Sequence, residues 1–332
     1  MRDTNLNELS DQSKITRRLW LKLSLLSALS LAMSSCGLRK PLPVRVAAHK
    51  WPGYEFLFMA RELDILDQGL VRIIETPNAT TNIRALGANI AEGAVLTLDE
   101  VITAREGGIN LTVVAVLDVS VGADALLVPQ NIQSLKEIKG LRVGVEHTAT
   151  GAVMLDASLR AAGLQAADID IIYLSVDEHL ESYSNDTIDA LVSFEPVKTS
   201  LIKKGMKAIF TSREIPGNIV DVLAFRSDTL DTHHAAIQHA VNGHFQAVEK
   251  WQTAPSIHSR LLAKQLGVTE AEVFALYTDL YLPNKAENVE WLAGGKPKLL
   301  LSAENLSISM LNSGLLSKTP TFEHLFDKRF IL

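Results

Sequence analysis

Cysteine is almost absent from this 332-residue chain, which contains Cys36 and no other. An internal disulfide and a metal site built from cysteines alone are therefore excluded. Basic residues are also in the minority, with 32 Lys and Arg against 38 Asp and Glu, and the net charge of −6 argues against a general nucleic-acid binder. The phosphate-loop, dinucleotide-binding and zinc-protease motifs (G-x-x-x-x-G-K-[ST], G-x-G-x-x-G and H-E-x-x-H) do not occur. Any function must use oxygen, nitrogen and aromatic chemistry.

The composition that is present belongs to a globular protein. Hydrophobic residues make up 47% of the chain and charged residues 21%, which excludes collagen-like, low-complexity and intrinsically disordered classes. A chain of this length is expected to form about two domains.

The amino-terminal segment has the order of a bacterial export signal. Arg17 and Arg18 precede an eleven-residue apolar run from Leu23 to Met33, and Ser34-Ser35-Cys36-Gly37 follows. A membrane-spanning helix needs about 20 apolar residues, so this run is typical of a signal-peptide core. The arginine pair resembles a twin-arginine signal, and the small residues before Cys36 resemble a lipoprotein processing site. We therefore expect a signal peptide over 1–35 and a lipidated tether over 36–43. A short amphipathic helix with a buried cysteine is the alternative.

Removing the expected signal leaves a more acidic body. Residues 1–35 carry five basic and three acidic side chains, so the remainder holds 27 basic and 35 acidic side chains, a net charge of −8. A body with this charge repels anionic lipids and nucleic acid. We therefore expect no nucleic-acid partner, and membrane attachment through the lipid on Cys36.

From Val44 onward, short strands alternate with helices. The strands are rich in Val, Ile and Leu on both faces, as in sheets covered by helices on both sides. The predicted strands are Val44–Ala48, Val71–Glu75, Ala94–Leu96, Leu111–Val116, Ala125–Val128, Arg142–Val145, Ile169–Leu174, Ala190–Val192, Ala208–Phe210 and Val222–Phe225. After Phe225 the pattern is helical to about Leu316. The sequence predicts an α/β protein with two doubly wound lobes and a helical carboxyl-terminal third.

Local signals mark several helix ends. Thr97 to Glu100 and Thr269 to Glu272 have the spacing of a capping box, in which a threonine and a glutamate bond each other's backbone. Gly163, Gly267 and Gly314 each follow an apolar periodic stretch, where a glycine commonly ends a helix.

Two patterns that would suggest catalysis or metal binding are incomplete. A G-x-S-x-G elbow around Ser120 fails, because Asp118 occupies the first glycine position. Four histidines lie on one predicted helix, at His233, His234, His239 and His244. Their spacing turns successive members to different sides of the helix, so we expect structural or surface roles. We expect no catalytic residue, no metal and no cofactor.

Polar and aromatic residues at strand ends are the candidates for ligand binding, because open α/β sheets bind ligands there. They are Trp51, Tyr54, Thr97, Asp99, Ser120, Asp124, Glu146, Thr148, Thr150 and Gly151. The last four precede a helix predicted over 152–162, whose free backbone N–H groups would hold an acceptor atom.

Simpler structural roles are open for several candidates. Trp51 and Tyr54 are equally suited to a staple at the start of a helix, and Glu100 is explained as the third residue of its capping box. The segment 118–124 has the composition of an Asp- and Gly-rich turn. A role for Thr150 as a helix cap would explain part of the polar run 146–151.

One long run, His49 to Leu63, resembles the opening of periplasmic substrate-binding proteins of ABC importers, in the nitrate, taurine and sulfonate (NMT1/THI5-like) class. Further likeness lies in Leu96–Glu100, Gly122–Asp124, Val143–Glu146 leading to Gly151, Phe194–Pro196 and Ile219–Leu223. The likeness extends from Val44 to about Leu316. One branch of this family, a pyrimidine synthase, needs a cysteine-rich motif that this chain lacks, so we expect no enzyme.

The resemblance implies a bilobed, type II "flytrap" fold with two crossovers. It implies lobe one over 44–126 and 223–332 and lobe two over 127–222, with hinge strands near 127–130 and 221–225. A small molecule would bind between the lobes of a monomer, and the closed form would dock on an ABC permease driven by a cytoplasmic ATPase. The matched motifs add Glu195 and Asp221 to the candidate ligand-binding residues.

The ligand class follows from the charges in these motifs. Relatives take nitrate, bicarbonate, taurine and other sulfonates, or pyrimidine-type solutes. Apart from Arg61 near the end of the first run, Lys50 is the one Lys or Arg in the matched motifs, whereas Asp99, Asp124, Glu146, Glu195 and Asp221 make the cleft acidic. A nitrogen heterocycle, an amine or a zwitterion stacked on Trp51 and Tyr54 is therefore favoured over nitrate. The helix start near Thr150 is a candidate holder for a sulfonate or carboxylate oxygen of a zwitterion.

Two other functions are weighed against import. A ligand-sensing lipoprotein that acts on a membrane signalling protein would have the same fold. An exported hydrolase lacks a nucleophile and base that could be paired from the sequence.

If Cys36 carries the lipid, the substitution Cys36→Ser should release the protein from membranes into the soluble fraction, because the acidic body has no other means of attachment. Fractionation followed by immunoblotting measures this, with ligand binding unchanged as the control. A Cys36→Ser protein that stays with the membrane would contradict the lipoprotein hypothesis.

Overall fold

The computed structural model describes residues 42–332, so the expected signal peptide, Cys36 and most of the expected tether lie outside the described residues. Within that range, two mixed β-sheets are each covered by helices. No helix in residues 42–332 combines the length and the apolarity needed to cross a membrane.

The first sheet has six strands. They are β1 (Val44–Ala48), β2 (Val71–Glu75), β3 (Gly93–Thr97), β4 (Leu111–Ser120), β10 (Val220–Arg226) and β11 (Leu280–Tyr281). Their order is β11-β4-β10-β3-β1-β2. β1 runs parallel to β2 and β3, whereas β10 runs antiparallel to both β3 and β4. A strand from late in the chain therefore completes a sheet that begins at the amino end.

The second sheet repeats this plan with five strands. They are β5 (Asp124–Pro129), β6 (Arg142–Val145), β7 (Asp170–Tyr173), β8 (Ala190–Phe194) and β9 (Met206–Thr211). Their order is β7-β6-β8-β5-β9, with β6 parallel to β7 and β8, and β5 antiparallel to β8 and β9. All ten predicted strands are confirmed, and the structure adds the two-residue β11.

Sheet pairing defines lobe one as residues 42–120 and 220–332 and lobe two as residues 124–211. The chain crosses between them at 121–123 and again at 212–219, which gives the two crossovers of a bilobed type II binding-protein fold. The expected lobe boundaries after residues 126 and 222 fall inside β5 and β10 and need correction. Each strand lies whole in one sheet, because splitting a strand would leave backbone N–H and C=O groups unpaired.

Eleven helices lie between and after these strands in residues 42–332. They are α1 (Glu55–Glu62), α2 (Ala79–Gly87), α3 (Leu98–Glu106), α4 (Ala149–Ala162), α5 (His179–Ser184), α6 (Val197–Lys203), α7 (His234–Thr253), α8 (Pro255–Leu266), α9 (Glu270–Thr278), α10 (Lys285–Leu292) and α11 (Lys298–Asn312). The five from α7 to α11 make up the helical carboxyl-terminal third that the sequence predicts.

The local signals for helix ends are confirmed. Both predicted capping boxes form, at Thr97–Glu100 and at Thr269–Glu272. Gly163 and Gly267 end α4 and α8 with φ of 68° and 72°, the left-handed conformation that glycine adopts without steric cost.

Apolar side chains form a large core in lobe one and two smaller cores on the two faces of the second sheet. Ala149 and Val153 of the lobe-two helix α4 are buried in the core of lobe one. The two lobes are therefore in direct contact.

A buried lysine ties the lobes together beside the first crossover. Lys198 on α6 donates to the backbone oxygen of Gly122 at 2.9 Å and pairs with Asp279 of lobe one at 2.6 Å. Its Nζ also lies 3.1 Å from Glu195, and the lysine and Glu195 side chains are 7% and 3% exposed. Arg213 of the second crossover adds a further pair to Asp279 at 2.7 Å. One cation thus compensates carboxylates from both lobes.

Replacing Lys198 with Met should lower the free energy of unfolding by about 3–5 kcal/mol, because it leaves the buried carboxylate of Glu195 without its cation. Lys203→Met is the matched control: this lysine is one turn further along α6, is 60% exposed and pairs with Glu272. The control should cost less than about 1 kcal/mol, as surface ion pairs do. Urea unfolding measures both, and equal losses would contradict a special role for Lys198.

Candidate functional site

The carboxyl ends of β1, β3, β6 and β8 meet at a narrow pocket between the lobes. Its walls are formed by His49, Trp51, Tyr54, Ala79, Thr97, Glu100, Asp124, Glu146, Thr148, Thr150, Phe194, Ile219 and Asp221. The cavity volume is about 40 Å³, enough for about three water molecules. Eight of the predicted ligand-binding residues are brought together here.

Aromatic rings from both lobes form one wall. Trp51 and Tyr54 follow β1 and are buried, with ring centroids 6.4 Å apart. Across the cleft, Phe194 at the end of β8 packs edge-on against Trp51 at 5.8 Å. The Tyr54 ring also contacts His49 at 5.1 Å. The rings of Trp51 and Tyr54 line the pocket and also belong to the core of lobe one.

A pair of carboxyl groups lies behind this wall. Asp118 on β4 is directly opposite Asp221 on β10 in the antiparallel pairing of the two strands. The Trp51 indole N–H donates to both oxygens of Asp118, at 3.3 and 3.2 Å. The Tyr54 hydroxyl donates to Asp221. Both aromatic side chains are thus oriented by one carboxyl pair.

Burial controls the protonation of that pair. Loss of water raises the pKa of Asp118 to about 7. It raises the pKa of Asp221 well above its usual value, with the charge of Asp118 adding to the effect. Two carboxylates in contact cannot both ionise at low cost, so the pair retains a proton at neutral pH.

The lobe-two side of the pocket is also acidic. Burial raises the pKa of Asp124, at the start of β5, to about 7. Burial and then the charge of Asp177 raise the pKa of Glu146 to about 7. Burial lowers the pKa of His49 to about 4, so this imidazole is neutral. The pocket walls include four carboxyl side chains and no lysine or arginine.

Most hydrogen-bond donors at the pocket already have partners. The hydroxyl of Thr150 donates to Asp99 Oδ2 at 3.0 Å and lies 2.9 Å from the Thr97 hydroxyl, so two lobes are joined there. By contrast, one oxygen each of Asp99, Asp124 and Asp221 is buried without a hydrogen-bond partner among residues 42–332. The pocket therefore offers unused acceptors.

The start of α4 differs from the sequence expectation. The helix begins at Ala149 rather than at 152, and Thr148 is its cap, accepting a bond from the Gly151 N–H at 3.1 Å. Thr150 reaches across to lobe one instead. Asp99 occupies the position beside the helix start where a sulfonate or carboxylate oxygen of a zwitterion was expected. Glu100 serves its own capping box, as predicted, and burial raises its pKa to about 8.

Four candidates lie beside the pocket rather than in its wall: Asp99, Ser120, Gly151 and Glu195. Ser120 bonds the Ser212 hydroxyl at 2.7 Å and braces the crossovers. Glu195 accepts from the Thr199 N–H at 3.1 Å and pairs with Lys198. Gly151 acts through its backbone, because a Cβ there would lie 2.5 Å from the oxygen of Glu146.

Asp124 was grouped with Trp51 in lobe one, and this is corrected: β5 places it in lobe two. Five wall residues are not among those predicted from the sequence: His49, Ala79, Glu100, Phe194 and Ile219. His49 and Phe194 lie inside quoted family-like segments, so position in those segments would have found them. In the sequence, Asp118 stands out only because it occupies the first glycine position of an incomplete G-x-S-x-G motif. The burial of Lys198 has no local sequence signal.

The four histidines at the start of α7 and along it do not form a cluster. His239 Nε2 accepts from the Asp67 N–H at 2.8 Å, whereas His244 is buried between the rings of Phe56 and Phe245. No cluster of three or more His, Cys, Asp or Glu with metal-binding geometry occurs in the described part of the chain.

Comparisons with known proteins agree with the fold. A model of the NMT1-like family matches residues 39–266. No curated protein sequence matches significantly. The periplasmic aliphatic sulphonate-binding protein SsuA from Escherichia coli aligns with a TM-score of 0.69 and 18% identity, covering 87% of this chain and 92% of SsuA.

Two further structures align as well. SsuA from Xanthomonas axonopodis pv. citri, bound to MOPS, gives a TM-score of 0.72 and 16% identity over 87% of this chain and 99% of its own. The ligand-binding component of an ABC-type import system from Staphylococcus aureus, with zinc bound, gives a TM-score of 0.73 and 14% identity. That alignment covers 87% of this chain and 98% of the other. The fold also occurs in an enzyme, DszB, solved as a cysteine-to-serine variant with biphenyl-2-sulfinic acid, at 13% identity and a TM-score of 0.59 over 86% and 97%.

The raised carboxyl pKa values predict a pH dependence of stability. A buried acid whose pKa is higher in the folded state binds more protons folded than unfolded, so its stabilising effect is lost as pH rises through the folded value. The melting temperature of the ligand-free protein should therefore fall between pH 5 and pH 8. The slope for one group such as Asp124 is about 1.4 kcal/mol per pH unit at most.

Asp124→Asn should flatten this decline, because an amide has no proton to lose. Glu249→Gln, at an exposed position on α7, is the control and should leave the profile unchanged. Calorimetric melting over the same pH range checks both. Identical profiles for Asp124→Asn and the unsubstituted protein would contradict the assignment.

Proposed function

Because the chain belongs to the NMT1-like family, we propose that it is an exported solute-binding protein that takes an organic cation between its lobes and presents it to an ABC importer. The family match and the bilobed fold support a binding role. A permease with a cytoplasmic ATPase is then the partner, and the protein acts on the outer side of the cell membrane. The lipid on Cys36, supported by the sequence alone, would hold it there.

The ligand class is inferred from the hydrogen-bonding groups at the pocket, where acceptors lack partners and donors are already bonded. Asp124 and Asp221 each have a buried oxygen without a partner, whereas the Trp51, Tyr54 and Thr150 donors are already bound to carboxylates. A ligand N–H⁺ group would supply the missing donors and the missing positive charge. The neighbouring rings of Trp51 and Phe194 would stack on an amine or a nitrogen heterocycle.

A sulfonate fits these groups poorly. Its oxygens accept hydrogen bonds, and the one buried cation near the site, Lys198, is held by Glu195, Asp279 and the Gly122 backbone. The ionised fraction of Asp124 and Glu146, whose pKa values are both about 7, would repel the sulfonate as well. The bilobed fold is thus shared with sulfonate-binding proteins, but the chemistry of the pocket favours a cation over a taurine-like solute. The ammonium group of an amine and the N–H⁺ edge of a protonated pyrimidine-like heterocycle both match this chemistry, with the rest of either ligand outside the small pocket.

We further propose that the protein binds without catalysing a reaction. DszB was solved with its cysteine replaced, whereas residues 42–332 of this chain contain no cysteine at all. Opening and closing of the lobes is the only change that binding requires.

Isothermal titration with n-butylammonium, 4-aminopyridinium and n-butanesulfonate tests the ligand class. We expect binding of at least one cation and no binding of the sulfonate. Asp124→Asn should weaken the cation about 10- to 100-fold, since a hydrogen bond to a charged group contributes about 1.5–3 kcal/mol. Glu249→Gln should bind as the unsubstituted protein does.

The same titrations can contradict the proposal in two ways. Binding of butanesulfonate in preference to both cations would mean that the pocket takes anions. Cation binding that Asp124→Asn leaves unchanged would place the ligand away from the acidic pocket.

A further inference from the structure

A larger cavity adjoins the acidic pocket. It is a groove of about 740 Å³ that runs along α4, and Glu146 and Thr148 line both cavities. The two spaces therefore meet at these residues. Thr103 and Leu315 of lobe one complete the groove, so its shape depends on lobe closure just as the pocket's shape does.

The walls of the groove are largely apolar. Leu155 and Leu159 lie one turn apart on α4, and Ile171 and Tyr173 lie on the same side of β7. β7 is an edge strand of the second sheet, so no further strand covers its flank. Tyr173 is 60% exposed, and its ring contacts His147 edge-on at 4.7 Å at the mouth of the groove.

Glu146 stands where the two cavities join. Within residues 42–332, no side chain or backbone group donates a hydrogen bond to its carboxyl group, and no cation pairs with it. Burial raises the pKa of this group to about 7. A cationic ligand group held between Glu146 and Asp124 would relieve that cost and would lie at the entrance to the groove.

The sizes of the two cavities indicate which part of a ligand each can hold. A pocket of about 40 Å³ accepts an ammonium group, which is similar in size to a water molecule, but not the body of an organic solute. The groove is more than ten times larger and shares Glu146 and Thr148 with the pocket.

We propose that the groove is a second subsite, and that the ligand is an amphiphilic cation with its ammonium group in the acidic pocket and an apolar chain or ring along α4. This inference rests on the proposed binding of an organic cation. Burial of apolar surface in the groove would then contribute to affinity with each added methylene.

A homologous series tests the second subsite. Affinities of methyl-, butyl- and octylammonium chloride are measured by isothermal titration with the unsubstituted protein. We expect octylammonium to bind at least tenfold more tightly than butylammonium. Tyr173→Ser removes an exposed apolar wall and should reduce the gain from butyl to octyl at least threefold. Ile257→Ser, at a 75% exposed apolar position on α8 outside both cavities, is the matched control and should retain the gain.

The outcomes separate this inference from the function on which it rests. If butylammonium binds and octylammonium binds no more tightly, the second subsite is wrong while the cation site stands. If the gain with chain length is equal in Tyr173→Ser and in the unsubstituted protein, the apolar chain lies elsewhere and the groove assignment is overturned. If no alkylammonium binds, the second subsite is wrong, and the cation site is wrong as well unless 4-aminopyridinium binds.

Discussion

The contact between Asp118 and Asp221 is the constraint on which the rest of the site depends. Antiparallel pairing of β4 and β10 places the two carboxyl groups opposite each other in a buried site. Trp51 and Tyr54 supply donors to the pair and are thereby fixed in orientation. Gly53 lies between these rings in sequence, and a Cβ there would fall 1.7 Å from Asp118 Oδ2. The carboxyl pair thus determines both the aromatic wall and the backbone that carries it.

The same pairing links binding to the topology. β10 belongs to lobe one but arrives after the whole of lobe two, so Asp221 enters the site only because the chain crosses back. Lys198 and Asp279 hold the first crossover, and Thr150 and Asp99 join the lobes on the other side of the pocket. Hydrogen bonds and ion pairs around the acidic pocket therefore hold the two lobes together. A ligand that neutralises this centre would favour the closed form, because only that form surrounds the ligand from both lobes.

Much of the fold was predictable from local patterns. Apolar runs identified all ten longer strands, because strands buried on both faces must be apolar throughout. The bounds of several strands differ by one to three residues, and β4 differs most, because it continues from Val116 to Ser120 through Asp118. A buried aspartate looks like a turn residue in sequence, and only its partners Trp51 and Asp221 make it compatible with a strand. Eight wall residues were likewise predicted from their position at strand ends.

The sequence by itself determined the class of the protein: an α/β chain with a lipoprotein-like leader, family-like segments in order, and acidic and aromatic residues at strand ends. Tertiary structure decided which of those residues share one space and what state they are in. The structure places Asp124 in lobe two rather than in lobe one, and Asp99 and Glu195 beside the pocket rather than in its wall. It also identifies Lys198 as the buried cation at the first crossover. The physical reason is that burial and the pairing of charges depend on contacts between residues far apart in the chain, such as Tyr54 and Asp221, which are 167 positions apart, and no local pattern encodes these contacts. Periodicity and caps, by contrast, are properties of neighbours along the chain.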